Sequence, residues 1–294
     1  MDVFMSQFPK QKLTIAISQI NTVLGDYAGN MHKHLEYIEK AIEAKADVVL
    51  FPELSLTGYS LKDAVYDVAI GDRDDKLIPF LKLSKKITII VGLVELSNRF
   101  EIFNTLLIFE EGSLIAKHRK VYLPTYGLFE EERYFSSGNR FRAFDSRFGR
   151  FGILICEDMW HPTSGVILAQ DGASLIFVAA AGIARGMDAE SKPENVMVWE
   201  SLNRSLAIST TSYVIFANRV GVEDGLMFWG GSEVIEPSGS RLAKAGYFQE
   251  EQLIVQIDLL KLKHTRINTT LLSDEKLDVV IEELTRIKKE RKEY

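Results

Sequence analysis

A single cysteine, Cys156, in 294 residues excludes an internal disulfide and fits a reducing compartment. Positive charge is also scarce. Against 41 acids stand 35 lysines and arginines, a net charge of −6 that leaves no electrostatic footprint for nucleic acid. The basic stretches KHRK (117–120) and RIKKERK (286–292) are short, and the second reads as a solvated helix face. Long apolar runs are missing too: ITIIVGLV and SLIFVAAAGIA fall short of the roughly 20 residues a bilayer span requires. The opening MDVFMSQFPKQKL has no basic region ahead of an apolar one, so no secretory signal is expected. The chain reads as a soluble cytoplasmic protein.

Several catalytic signatures are absent as well. There is no GxxxxGK(S/T) phosphate loop, no GxGxxG after the first strand, no HExxH and no GxSxG. The five histidines (32, 34, 118, 161 and 264) show no ligand spacing beyond His32 and His34. Residues two apart on a helix do not face each other, so no metal site is expected there, and no cofactor is expected elsewhere. His161, five residues after Cys156, is a conceivable base, but it precedes Pro162 in an expected turn.

What the sequence does contain is an alternation of strand-like runs and amphipathic helices. Hydrophobic residues make up 46%, enough for a large core. KLTIAISQI (12–20) is a β-branched run, and in the segment 30–46 after it Leu35, Ile38 and Ile42 recur at helical spacing. DVVLF (47–51) is a short continuous apolar run, of the kind buried in a sheet covered on both faces. ITIIVGLVEL (87–96) and NTLLIFEEGSLIAKHRK (104–120) continue the strands, the second with a turn at Glu111–Gly112. FGILIC (151–156), ASLIFVAAA (173–181) and SYVIFANRV (212–220) follow.

A helix is expected over roughly 193–209, opened by Pro193 and striped by Val196, Trp199, Leu202 and Leu206. Another is expected over about 273–290, capped by Ser273, as a peripheral packing or assembly element. The polar stretch 122–150 has no period, and unstructured stretches of that length inside a compact domain tend to be functional. No repeat or linker divides the chain, so residues 1–294 read as one α/β domain.

Three unlike chemical groups stand at or just past the ends of strand-like runs: Glu53 after DVVLFP, Lys120 after SLIAKHR, and Cys156 after FGILI. In open α/β sheets, ligand sites gather beyond the carboxyl ends of strands. Each group also has a plain alternative. A glutamate after proline caps a helix, a lone lysine is solvated, and a single cysteine is a small buried hydrophobe. As a set they make coherent chemistry: a carboxylate as general base, a cation that favours the thiolate and then an oxyanion, and a sulfur nucleophile. Such a set would also answer a local objection, because Glu157 and Asp158 beside Cys156 disfavour a thiolate unless a cation compensates.

FPELSLTGY, KVYLPTYGLFEEERYF and GILICEDMW, in that order and spacing, resemble the three motif blocks of the nitrilase superfamily of carbon–nitrogen hydrolases. The resemblance runs from about Lys12 to the C-terminal helix and includes NRVGVEDGLMFWGGSEVIEPSGS (218–240). It implies a four-layer α-β-β-α sandwich that dimerises so that the sheets stack across subunits, giving a homodimer or a higher even homo-oligomer. By position it makes Glu53 the general base and acid, Lys120 the oxyanion stabiliser and Cys156 the nucleophile. Glu131 matches a second carboxylate that orients Lys120 or the substrate, with Glu130 and Glu132 left open by the register of the three glutamates. Tyr126 matches a substrate-side position of glutaminase members, and Glu157 is expected on the same side. The implied reaction is hydrolysis of a non-peptide C–N bond through a thioester on Cys156.

Members that hydrolyse nitriles typically read Cys-Trp-Glu, whereas this chain reads Cys-Glu-Asp, which favours a small primary amide or an N-carbamoyl amine as substrate. LPTYGLFEEERYF and CEDMW are most similar to the glutaminase domain of glutamine-dependent NAD synthetase. A stand-alone glutaminase passing ammonia to a separate synthetase is therefore the alternative. Two departures stand against it: no SGGxDS loop is present, and VAAAGIARG (178–186) replaces a Ser-Ala-Ser-Pro-like stretch. An idle binding module on the same fold is the reading from a different class, opposed by the three filled positions. The pocket is expected from loops at 122–140 and 180–195. Within the second, Arg185 reads as a surface arginine, with contact to a substrate carboxylate as the other reading. The expected partner is a small-molecule amide, with neither nucleic acid nor membrane.

Overall fold

A computed structural model describes residues 10–186 and 193–291. Residues 1–9 of the stretch read for a secretory signal, and 187–192 of the second pocket loop, lie outside the described residues.

Alternation within single strands sets the architecture. In β1 (Lys12–Gln19), Ile15 and Ile17 belong to one apolar cluster and Ala16 to another, and all three are fully buried. Strands β2 (Val48–Leu50), β3 (Thr88–Leu96) and β4 (Ile102–Glu110) repeat the pattern. Val48, Leu50, Ile90, Leu106 and Ile108 join the first cluster, and Val49, Ile89, Val91, Leu107 and Phe109 the second. Successive side chains of a strand face opposite sides, so a sheet with both sets buried must be covered on both faces.

With β5 (Ser113–Arg119) and β14 (Glu251–Asp258), these strands form a six-stranded sheet in the order β14-β1-β2-β3-β4-β5. The central strands β1, β2 and β3 are parallel, and the remaining pairs are antiparallel. The β4–β5 hairpin turns on Glu111 and Gly112, at φ of +51° and +81°, as the sequence leads one to expect. Helix α1 (Tyr27–Glu43), capped by Asp26, and α2 (Ile78–Leu83) cover the outer face through Met31, Ile38, Ala41 and Phe80.

The second sheet also has six strands: β6 (Phe144–Ser146), β7 (Gly149–Ile155), β8 (Leu175–Ala180), β9 (Tyr213–Asn218), β12 (Glu233–Ile235) and β13 (Arg241–Lys244). Their order is β13-β12-β9-β8-β7-β6, with β7, β8 and β9 parallel. A separate ribbon pairs β10 (Val220–Glu223) with β11 (Leu226–Trp229). Helices α3 (Pro162–Gln170) and α4 (Asn195–Thr210) bury Leu168, Val196, Trp199 and Leu206 against this sheet.

The inner side chains of the first sheet share a cluster with Phe151, Phe177 and Ile215 of the second. The layers therefore run helix, sheet, sheet, helix, the expected four-layer sandwich, built within one chain. Each fully buried Ile or Leu in that interface contributes about 1.5–3 kcal/mol.

Two boundaries differ from the sequence reading. Ser273 does not cap the last helix. It lies inside a short turn, Leu271–Asp274, and α6 runs Leu277–Glu290 with Lys276 at the cap position (α5 spans Leu259–Asn268). The dipole signature survives the shift, with Asp278 in the first turn and Lys288 and Lys289 in the last, and α6 buries none of its residues. The stretch 122–150 is not without structure: it holds one helical turn, Glu131–Tyr134, and β6, both too short to leave a period. Among the described residues, no helix is long and apolar enough to cross a membrane.

Candidate active site

Residues that follow β2, β5, β7 and β8 meet at one edge of the sandwich. Lys120, the first residue after β5, is fully buried. Its Nζ donates to Glu53 Oε1 and to Glu131 Oε1, each at 2.7 Å. Glu53 is held on both oxygens: Asn104 Nδ2 also donates to Oε1 at 2.7 Å, and the Ala181 N–H, just past β8, donates to Oε2 at 2.9 Å. The loop carrying Glu53 lies flat on β3 because residue 92 is glycine. A Cβ there would come within 2.6 Å of both Leu54 N and Pro52 O.

Glu131 resolves the register of the three glutamates: it is buried, while Glu130 and Glu132 are exposed. Besides Lys120 it accepts a hydrogen bond of 2.5 Å from Tyr59 Oη. Tyr59 is positioned from behind, since Glu223 accepts its backbone N–H and that of Ser60 and pairs with the buried Arg219 at 2.7 Å.

Burial opposes charge on Lys120, but Glu131, Glu53 and Cys156 around it hold its pKa well above the ordinary lysine value. Burial also pushes Glu131 up, to about 7, with Lys120 pulling it back. Tyr59 is raised well above its usual range by burial and then by Glu131, so it stays protonated and remains a donor.

Cys156 begins a short turn, Cys156–Trp160, at φ +48°, a left-handed conformation that costs a non-glycine residue about 1–3 kcal/mol. Surrounding structure must hold it there, and Asp158 does so. Fully buried, Asp158 accepts from Ile155 N at 3.1 Å and His118 Nε2 at 2.8 Å with one oxygen. With the other it accepts from Val121 N and Tyr122 N, each at 3.0 Å. One carboxylate thus joins the residue before Cys156 to the residues after Lys120. The thiol's pKa is pushed well above its ordinary value, by burial first and then by Glu53; Lys120 works in the opposite direction.

Cys156 opens onto a cavity of about 150 Å³. Phe129, Trp160, Ile183 and Trp199 supply apolar walls, and Tyr126, Glu157 and Arg185 supply polar ones. Tyr126 Oη donates to Glu157 Oε2 at 3.0 Å. Arg185 is not a free surface arginine: it is partly buried against this cavity, with its guanidinium 4.7 Å from the Phe129 ring centre.

The structure therefore brings Glu53, Lys120, Glu131 and Cys156 into one cluster, with Tyr126 and Glu157 across the cavity. His118 serves the Asp158 clamp rather than the cluster itself. His161 stacks on Tyr122 at 3.5 Å between ring centres, and His34 is buried between Ser55 and the Asn30 carbonyl, its pKa lowered by burial to about 4. Among the described residues, no group of histidines, cysteines or acids forms a metal site. Sequence reasoning missed Tyr59, Asn104 and Asp158. Tyr59 closes the FPELSLTGY block and Asp158 lies two residues after the cysteine, so both stood in view. Asn104 lies within an apolar strand and gave no signal.

A family model for carbon–nitrogen hydrolases matches residues 14–267. The glutamine-dependent NAD(+) synthetase of Aquifex aeolicus is 31% identical over 261 residues, covering 87% of this chain and 44% of that protein. The chain spans less than half the length of the synthetases it matches. An omega-amidase of Saccharomyces cerevisiae is 29% identical, with 93% of this chain and 97% of the amidase covered. Among solved structures, a carbon–nitrogen hydrolase from Helicobacter pylori G27 superposes with a TM-score of 0.84 at 27% identity, covering 93% of this chain and 98% of its own.

Proposed function

The chain belongs to the carbon–nitrogen hydrolase family, and from that premise we propose that it is a cysteine amidase acting on a small primary amide or an N-carbamoyl amine. The observation that carries this reading is the buried Lys120 ammonium, bonded at 2.7 Å to both Glu53 and Glu131 beside the only cysteine. A buried cation between two carboxylates is expensive to desolvate, and a hydrophobic residue would serve stability as well. Chemistry gives it a purpose.

The thiol is neutral at rest, so its proton must leave as the bond to carbon forms. Cys156 Sγ attacks the amide carbonyl while Glu53 takes the thiol proton. Charge then develops on the carbonyl oxygen, where Lys120 and backbone N–H groups of the turn after Cys156 stabilise it. The tetrahedral species collapses, the C–N bond breaks, and Glu53 returns its proton to the departing ammonia or amine. A thioester remains. Water, deprotonated by Glu53, attacks that thioester, and the acid and the thiol are released. Glu131 and Tyr59 hold Lys120 in place throughout.

The cavity of about 150 Å³ limits the acyl group to a small one. Tyr126 and Glu157 form its polar side and act in substrate binding. A second reading, a glutaminase supplying ammonia to a separate synthetase, is supported by the synthetases among the relatives. Ammonia release from glutamine, aliphatic amides and N-carbamoyl amines, measured side by side, separates the two. Turnover of glutamine alone favours the second, and no turnover of any of them, with no adduct on Cys156, contradicts both. Exposed Val279, Ile281 and Leu284 on α6 support assembly into a homodimer or higher even homo-oligomer, which sedimentation would test.

A further inference from the structure

Asn104 lies in β4 with only 1% of its surface exposed. Its side chain makes one hydrogen bond among the described residues: Nδ2 donates to Glu53 Oε1 at 2.7 Å, while Oδ1 is buried without a partner. An ionised carboxylate only accepts, so the amide must turn Nδ2 towards Glu53. A buried amide with an unsatisfied oxygen costs stability, and a leucine of nearly the same shape would not. The main chain of the same residue holds the cation. The Asn104 carbonyl accepts the Lys120 N–H at 2.9 Å, so one residue fixes the base through its side chain and the oxyanion donor through its backbone.

The acceptor sites of Glu53 show what that bond does. A carboxylate offers about four lone pairs, two on each oxygen. Oε1 receives both Lys120 Nζ and Asn104 Nδ2, each at 2.7 Å, and is full. Oε2 receives the Ala181 N–H at 2.9 Å and keeps one site open among the described residues. Ala181 lines the cavity together with Cys156, which puts the less occupied oxygen on the side where thiol and substrate meet.

We infer that Asn104 is a positioning residue: by filling the last acceptor site of Oε1, it directs proton transfer through Oε2 of Glu53. This deepens the amidase reading and rests on it. The S–H bond breaks as the S–C bond forms, and the proton moves to Oε2. It leaves with the amine as the C–N bond breaks, and Asn104 exchanges no proton. Without Asn104, Oε1 has an open site of its own, and the carboxylate is free to turn about its terminal bond.

The test compares Asn104→Leu and Asn104→Ala with the unaltered chain, in amide turnover and in urea unfolding. Asn104→Leu keeps the shape and removes the donor. Its kcat should fall by about 10- to 100-fold, the range of one hydrogen bond to a charged group, with KM nearly unchanged and the unfolding midpoint equal or higher. Asn104→Ala leaves room for a water that donates to Oε1 in place of the amide. It should therefore be the less stable of the two variants and yet the faster. A purely structural asparagine predicts the opposite order, with rate following stability; that outcome, or an unchanged kcat in Asn104→Leu, overturns the inference. Alkylation of Cys156 by iodoacetamide at neutral pH separates the two levels, because it needs the thiol proton removed but no amide. Its rate constant should fall in Asn104→Leu as kcat does. An unchanged alkylation rate overturns the role of Asn104 and leaves the amidase reading intact. If the unaltered chain turns over no amide, that counts against the amidase reading, and the alkylation rates still decide the role of Asn104.

Discussion

Behind Cys156, the side chains of Glu53, Lys120 and Glu131 are buried and each is tied to at least two partners; across the cavity, Tyr126, Glu157 and Arg185 are partly or largely exposed and sparsely held. The contrast separates two tasks. Proton transfer and oxyanion stabilisation need fixed geometry in a medium of low polarity, which buried, cross-linked charges provide. Recognition needs groups that the ligand itself can complete. At the first end Glu53 and Lys120 follow strand ends and Glu131 comes from a short helical turn; at the second, Tyr126 and Arg185 come from loops and Glu157 from the turn after β7. A family can therefore keep its chemistry while the loops change the substrate.

If this division is right, changes at the buried end should strike the rate constant, and changes at the far end should strike substrate affinity. The largest effect is expected from Cys156→Ala: turnover lost by at least about 10⁴-fold, with the circular dichroism spectrum and thermal midpoint retained. Relief of the left-handed strain would not be expected, because alanine has the same backbone restriction as cysteine.

Lys120→Met comes next, and it should cost both function and stability. Loss of an oxyanion donor removes about 10²–10³ in kcat, and two buried carboxylates without their cation destabilise the fold by about 3–5 kcal/mol. Adding Glu131→Gln to Lys120→Met should recover part of the stability in urea unfolding and none of the rate. Recovery of activity in that double variant would break the assignment of Lys120 to chemistry.

Asp158→Asn probes the link between the two catalytic segments without touching either catalytic side chain. Four hydrogen bonds end on Asp158, and an amide cannot accept them all. A fall in kcat of about 10-fold or more, with KM for amides nearly unchanged, is expected alongside a loss of about 1–3 kcal/mol in stability.

The pH dependence of alkylation sharpens the same end. Because burial and Glu53 raise the Cys156 pKa, the protonated thiol dominates at neutral pH, and thiolate grows only above the ordinary cysteine range. The rate of modification by iodoacetamide should therefore keep climbing beyond pH 9. A plateau near neutrality would instead indicate a preformed thiolate and would falsify proton transfer in step with attack. The smallest effect is expected from Tyr126→Phe: one hydrogen bond lost at a partly exposed site, KM raised by less than about 10-fold, kcat unchanged.

The same division explains what could be read in advance. Glu53, Lys120 and Cys156 each follow a strand-like run, so period and chemistry announced them together. A sheet covered on both faces was legible because β1 to β4 bury both faces, which leaves continuous apolar runs, whereas the four-layer sandwich was implied only by the resemblance of the motif blocks. Asn104 was silent, since one amide in an apolar strand has no period to break. Glu157 and Asp158 looked alike as charges beside a thiol, yet the backbone turn parts them: one faces the cavity and the other is fully buried as a clamp. Arg185 was read as a surface residue because no local pattern reveals that Phe129, far away in sequence, lies beneath it. At Ser273, a plausible cap and the dipole pattern pointed to one helix start, while the chain makes a separate turn first.

The most direct measurement is the intact mass of the protein after brief mixing with a small amide or its ester, quenched in acid. A covalent adduct of acyl-group mass is expected on the unaltered chain, mapping to Cys156, and none on Cys156→Ala. Hydrolysis that persists in Cys156→Ala, or an adduct that maps to any other residue, would contradict the account.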